Sequence, residues 1–181
     1  MQEYPKTMSI SGDEYTFRLM TNKDRDVLLG MVKQITDSDL WFLRHDITQN
    51  DAIDDWIRDI DHKRAQTLIV EDNGKAIAFG ILYYNQVFWN RHLAEMRVLV
   101  ASSHRNRGLG TKIARELTVL AKDMSLEKVL VYMEANDKAA RRMVEDLGFK
   151  PEAILSDWVK TRDDRHRDLL IMSTDLEGVG R

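Results

Sequence analysis

The sequence predicts one mixed α/β domain built on a central sheet. Three observations carry this. Apolar residues alternate along some stretches and recur at helical spacing along others. The resulting order is a strand, two helices, a run of strands, then strand, helix, strand, helix and two closing strands. No Pro/Gly-rich linker divides the 181 residues, a length that a single core can serve.

Residues 1–13 carry little pattern and read as a flexible lead-in, with the domain proper over 14–181. Tyr15 to Leu19 alternates as a strand. Thr21 or Asn22 is placed to cap a helix whose apolar stripe is Val27, Leu28, Met31, Val32 and Ile35. A second helix follows Asn50, with Ile53, Trp56, Ile57 and Ile60 on one face. Thr67 to Glu71 is strand-like, Asp72-Asn73-Gly74 is a hairpin turn, and Lys75 to Tyr84 is the returning strand. A further strand, Leu93 to Val100, leads into a loop. The helix after it, from Gly110 to Met124, turns Ile113, Leu117 and Leu120 inward. Lys128 to Met133 is a short buried strand. Lys138 to Leu147 is a helix with Ala140, Met143, Val144 and Leu147 on one face, stopped by Gly148. Ile154 to Lys160 and Asp168 to Ser173 close the chain as a strand pair around the charged turn Thr161 to Arg167.

Composition narrows the function classes. Apolar residues make up 43% and charged residues 31%, with a net charge of −3, so no global basic field recruits nucleic acid. Apolar runs fall far short of the roughly 20 residues that span a bilayer, and no membrane partner is expected. The first residues lack the layout of a signal peptide, and there is no cysteine, so a cytoplasmic location is expected. The lack of cysteine also excludes disulfides, thiolate metal sites and an acyl-cysteine intermediate.

The loop after Val100 is the informative segment. Gly108 and Gly110 permit positive φ and close approach of a ligand to the backbone. The first turn of the following helix adds unpaired N–H donors and a positive dipole end, and Arg105 and Arg107 add charge. Together these suit a pyrophosphate. A dinucleotide fingerprint requires a small residue where Ile113 stands, and the Gly-Lys-Ser/Thr of a P-loop is absent. On these residues alone, an arginine-rich turn that simply caps a helix stays open.

Val98-Leu99-Val100 followed by Arg105-Asn106-Arg107-Gly108-Leu109-Gly110-Thr111 resembles the acetyl-CoA signature of the GNAT family of N-acetyltransferases, Gln/Arg-x-x-Gly-x-Gly/Ala. Asn136-Asp137-Lys138-Ala139-Ala140, leading to Leu147-Gly148-Phe149, resembles that family's later Asn-x-x-Ala helix and its Leu-Gly-Phe ending. The likeness extends over residues 14–175. It implies a mostly antiparallel sheet splayed between the fourth and fifth strands and flanked by helices. It also implies acetyl-CoA as co-substrate, with no metal. Val98, Leu99 and Val100 would offer backbone groups to the pantetheine arm, and Arg105, Asn106, Arg107, Gly108, Leu109, Gly110 and Thr111 would hold the pyrophosphate. Asn136 would contact the donor from the neighbouring strand, and Arg141 or Arg142 would be in reach of a distal phosphate.

The family reaction is direct attack of an amine on the thioester. It needs a base for the amine, donors for the oxyanion (a backbone N–H near Leu99 or Val100), and a proton for the thiolate. Glu95 is the candidate base; the alternative is a strand glutamate paired with Arg97 on the same face. Many members carry a tyrosine where this chain has Val144, so the acid is unassigned. Tyr132 reads as core, Tyr83 or Tyr84 could line the cleft, and His166 reads as a turn residue. The acceptor would be a small-molecule or peptide amine. The aspartates Asp37, Asp39, Asp46, Asp51, Asp54, Asp55, Asp59 and Asp61 would favour a cationic one unless they only solvate a helix face. Trp41, Phe42, Trp56, Phe88 and Trp89 are candidate pocket aromatics, with core the default for Trp56. A non-catalytic CoA-binding sensor is the alternative function. The family often dimerises through its C-terminal strands, which leaves a homodimer open.

Overall fold

The structure is a computed structural model that describes residues 3–40, 43, 46–47, 49–161 and 163–176. An eight-stranded sheet in the order β1-β2-β3-β4-β5-β6-β8-β7 forms its centre. The strands are β1 (Lys6–Ile10), β2 (Asp13–Leu19), β3 (Ala65–Asp72), β4 (Lys75–Tyr84), β5 (Leu93–Val100), β6 (Lys128–Glu134), β7 (Lys150–Lys160) and β8 (His166–Asp175). Every neighbouring pair is antiparallel except β5 and β6, which run parallel.

Helices cover both faces. On one lie α1 (Arg25–Val32) and α2 (Asn50–Asp61), on the other α3 (Leu109–Asp123) and α4 (Lys138–Glu145). This explains why β4 reads as a nearly continuous apolar run: Ala78 and Leu82 face α3, while Phe79, Ile81 and Tyr83 face the helices of the other layer. Ile53 and Trp56 of α2 are buried in that second layer. The Trp56 Nε1–H donates to Thr67 Oγ1 at 3.0 Å and its ring meets Phe79 edge-on, so Trp56 is core.

Two expectations are corrected. Residues 6–10, inside the expected flexible lead-in, form the edge strand β1. A two-residue turn at Ser11-Gly12, both at positive φ, folds it onto β2. A charge explains its attachment: Glu116 on α3, only 6% exposed, accepts from Lys6 and from the Tyr4 hydroxyl, fastening this end of the chain to the helix layer. The second correction is the start of α1. The N-cap position is Asp24, not Thr21 or Asn22, and its carboxylate makes no cap bond. It accepts instead from Thr21 N at 2.8 Å and from two Arg18 nitrogens at 3.0 and 2.8 Å. Ile35 lies beyond the helix.

Candidate active site

The site forms where two strands part. β5 and β6 pair only through Leu93–Lys128, Ala94–Val129 and Glu95–Leu130. Beyond that point β5 stays paired to β4 up to Val100 and β6 stays paired to β8 up to Glu134, so each strand is held on its outer side while the space between them opens. A cavity of about 280 Å³ occupies this gap. Val98 and Leu99 line one side, Val131, Tyr132 and Glu134 the other, and Met143 and Val144 of α4 close one end.

Backbone register decides which groups face the gap. The Ala101 N–H donates to Ile77 O at 2.8 Å. By strand alternation the main chain of Leu99 therefore also turns to β4, and that of Val98 and Val100 turns to the gap. Val100 O confirms the direction by accepting from Arg105 Nε at 3.1 Å. Of these three residues, Val98 and Val100 turn their main-chain groups to the gap, and Leu99 turns its own to β4. The N–H of Val98 or Val100, rather than of Leu99, is thus available to an oxyanion.

The loop above the gap meets the expectation of positive φ at Gly108 but not at Gly110, which lies inside α3. Asn106 (φ 60°) and Gly108 (φ 79°) are left-handed, and Gly108 occupies the N-cap of α3 without a side-chain cap bond. The first intrahelical bond runs from Lys112 N to Gly108 O, which leaves the N–H groups of Leu109, Gly110 and Thr111 without a helical acceptor. A 15-residue helix directs its positive end here. Gly110 lies against α4: a Cβ there would stand 3.2 Å from Met143 Sδ.

Both loop arginines are already engaged. Arg105 Nη2 lies 2.5 Å from Asp39 Oδ2, reaching the 3-10 turn Asp37–Leu40 that follows α1. Asp39 also accepts from the backbone and hydroxyl of Thr36, at 2.7 and 2.8 Å. Arg107 Nη1 reaches Asp13 Oδ2 at 3.3 Å, and the Ser11 hydroxyl donates to Arg107 O at 3.0 Å. The β1–β2 turn therefore braces the loop, a role nothing in its local sequence announces. Asn136 is exposed beyond the end of β6, and Asp137 lines the cavity in its place while capping α4 through Ala140 N at 2.9 Å. Arg141 pairs with Glu145 on its own helix.

Glu95 sits at the closed end of the gap. Its carboxylate is 2.6 Å from Arg97 Nη2, the pair that strand alternation suggests, and both groups are largely buried. Arg97 reaches further: its guanidinium carbon stands 4.9 Å from the centre of the Tyr132 ring, across the gap. Tyr132 is thus not a core residue but part of the cavity wall, because β5 no longer lies beside β6 at this level. Glu134 pairs with Arg167 of β8 at 3.2 Å. Val144, where a tyrosine is usual, is 2% exposed and brings no polar group. Tyr83 is buried opposite Glu95, Tyr84 points into the α3 layer with its phenol pushed up by burial, and His166 is exposed.

The acidic stretch carries less free charge than its composition suggests. Asp39 pairs with Arg105, Asp54 with Arg25 and Asp55 with Arg58. Phe88 and Trp89 are exposed in the β4–β5 connection, and Trp41 and Phe42 lie outside the described residues.

A splayed sheet, a backbone edge facing the gap and an uncapped helix N-terminus over a left-handed glycine thus meet at one site. The model of the GNAT acetyltransferase family matches residues 32–149, and the chain belongs to that family. Solved structures agree in fold. An N-acetyltransferase from Staphylococcus aureus Mu50 superimposes with a TM-score of 0.78 at 17% identity, over 90% of this chain and 99% of that one. The yncA protein of Salmonella typhimurium, solved with acetyl-CoA, gives 0.77 at 19% identity over 92% and 96%. A ribosomal-protein-S5-alanine acetyltransferase from Vibrio fischeri gives 0.78 at 13% identity over 97% and 100%. Curated protein sequences contain no significant match.

Proposed function

We propose that this protein transfers the acetyl group of acetyl-CoA to a primary amine by direct attack in a ternary complex. The observation that carries the reading is the alignment of three features along one line: the N–H groups at the start of α3, the gap-facing peptides of Val100 and Val98, and the closed end of the gap at Glu95. Acetyl-CoA fits this line. Its pyrophosphate would meet the α3 terminus, its pantetheine arm would add to the free edge of β5, and its thioester would lie near Val98 and Arg97.

The chemistry then has defined needs. A lysine-like amine has a pKa of about 10.4 and must lose a proton before it attacks. Glu95, directly or through water, is the base in this reading, held in place by Arg97. The N–H of Val98 or Val100 would receive the developing oxyanion.

Incubation of the protein with acetyl-CoA and a panel of cationic, neutral and acidic amines tests the proposal. Thiol release dependent on the amine, together with an acetylated product in the mass spectrum, is the expected result. Tight acetyl-CoA binding without thiol release from any amine would instead assign the chain as a CoA-binding sensor, a reading that the apolar Val144 favours.

A further inference from the structure

Resting on the acetyl-CoA reading above, we infer that Ser11 is a positioning residue for the donor. From the turn between β1 and β2 it orients the peptide that joins Arg107 to Gly108, so that the Gly108 N–H faces the pyrophosphate. The Ser11 hydroxyl donates to Arg107 O at 3.0 Å, between residues 96 apart in the chain. A trans peptide carries its C=O and its N–H on opposite sides. Holding Arg107 O toward the hairpin therefore turns the Gly108 N–H away from it. That N–H meets no acceptor among the described residues.

The backbone of Gly108 extends the array of donors. With φ 79° and ψ −1°, the nitrogens of Gly108 and Leu109 are nearly eclipsed, so their N–H groups share one side. Successive N–H groups arranged this way form an anion-binding concavity. Ser11 thus adds the Gly108 N–H to those of Leu109, Gly110 and Thr111. Without the hydroxyl this peptide can flip, since glycine accepts either sign of φ. A flipped peptide would present the Arg107 carbonyl oxygen to an anion. Two further contacts seat the hairpin here. Arg107 Nη1 reaches Asp13 Oδ2 at 3.3 Å, and a Cβ placed on Gly108 would stand 3.8 Å from Ile10 Cγ2, so both arms of the turn close on the loop.

The identity of residue 11 points the same way. Ser11 and Gly12 stand at φ 54° and 93° in a two-residue turn between Ile10 and Asp13, where Asn or Gly is the favoured first residue. A serine there holds a left-handed backbone against its own preference. Such strain persists at positions whose side chain serves a site.

The experiment sets stability against binding. Ser11→Ala removes the hydroxyl and keeps the strained turn, while Ser11→Gly removes the hydroxyl and relieves the strain. Ser9→Ala, at an exposed position of the same hairpin, is the control. Both Ser11 variants are expected to bind acetyl-CoA about 2- to 10-fold more weakly in a titration, the usual scale of one hydrogen bond, while Ser9→Ala matches wild type. With any amine that the wild-type protein acetylates, the loss should fall on the KM for acetyl-CoA and leave kcat within about twofold. Ser11→Gly should unfold at a Tm no lower than wild type although it binds more weakly, an opposition that a purely structural role does not produce. Ser11 variants that bind acetyl-CoA as wild type does would overturn the assignment alone. Weaker binding that follows a lower Tm in both variants would do the same. A wild-type protein that does not bind acetyl-CoA would overturn both this assignment and the reading it rests on. One that binds it and acetylates no amine would overturn acetyl transfer only, with the Kd values still deciding the role of Ser11.

Discussion

Gly80→Ala should loosen the acetyl-CoA site from beneath. Gly80 lies on β4 with no side chain between it and α3; a Cβ there would stand 2.5 Å from Ile113 Cγ2 and 2.8 Å from Leu117 Cδ1. Carbon atoms prefer about 3.5–4.0 Å, so roughly 1 Å of overlap must be absorbed. Ile113 Cγ2 cannot swing aside, because a β-branched residue in a helix has essentially one χ1 rotamer. Ile113 and Leu117 are fully buried, so α3 itself has to move. Overpacking of this kind costs about 1–3 kcal/mol. Replacing glycine at ordinary φ returns about 0.4–1 kcal/mol through the unfolded chain. Mid-range values give a net loss of about 1.3 kcal/mol, or a Tm lower by about 3–5 °C for a chain of this size. Because the proposed function puts the pyrophosphate at the N-terminus of α3, acetyl-CoA affinity should fall with it. Denaturant unfolding and a binding titration check both effects. Ile113→Ala removes the clashing methyl, so its cost should be smaller in the Gly80→Ala background by about 1 kcal/mol. A Gly80→Ala protein within about 0.5 kcal/mol of wild type, or strict additivity in that cycle, would refute the packing argument.

Three other outcomes are expected. Asp39→Asn frees Arg105 for phosphate. For a partly exposed pair worth about 0.2–1 kcal/mol, acetyl-CoA should bind about 1.4- to 5-fold tighter, measured by titration at low salt, and weaker binding would contradict it. Glu95→Gln should reduce turnover by about 10²-fold or more, and near-wild-type rates across pH would remove Glu95 from the mechanism. Asp24 has its carboxyl held below the usual range: burial alone would raise it, but the hydrogen bonds from Arg18 and Thr21 outweigh that. Its stabilising contribution is therefore complete above the unfolded carboxylate pKa, about 3.9, and fades as pH falls through the lower folded value. Urea unfolding of wild type and Asp24→Asn should converge in strong acid, and parallel profiles down to low pH would argue against it.

The helices and most strands were legible because each is specified by neighbours in the chain. Ile53, Trp56, Ile57 and Ile60 mark α2 by spacing alone, and Asn73-Gly74 marks the β3–β4 turn. The donor loop was legible for the same reason. Its glycine, its left-handed backbone and the helix after it are one continuous segment. Even the failure of the dinucleotide pattern at Ile113 has a visible counterpart, since the close approach of helix and strand is made by Gly80 on β4 instead. Strand β1 was missed although Ser11-Gly12 offered a turn signal, because its anchor, Glu116, lies more than a hundred residues away.

By itself, then, the sequence determined most of the order of elements, the kind of domain and the glycine loop that opens α3, all properties set by hydrophobic period and local backbone freedom. Only the tertiary structure decided which groups meet at the gap between β5 and β6. Tyr132 follows the same alternation as a core residue, and nothing near it in the chain says that β5 leaves its side after Glu95. Arg97 over Tyr132, and Arg105 on Asp39, are contacts across strands and loops. They depend on register and on where two strands part, and both are set by the packing of the whole sheet rather than by any local preference of the residues involved.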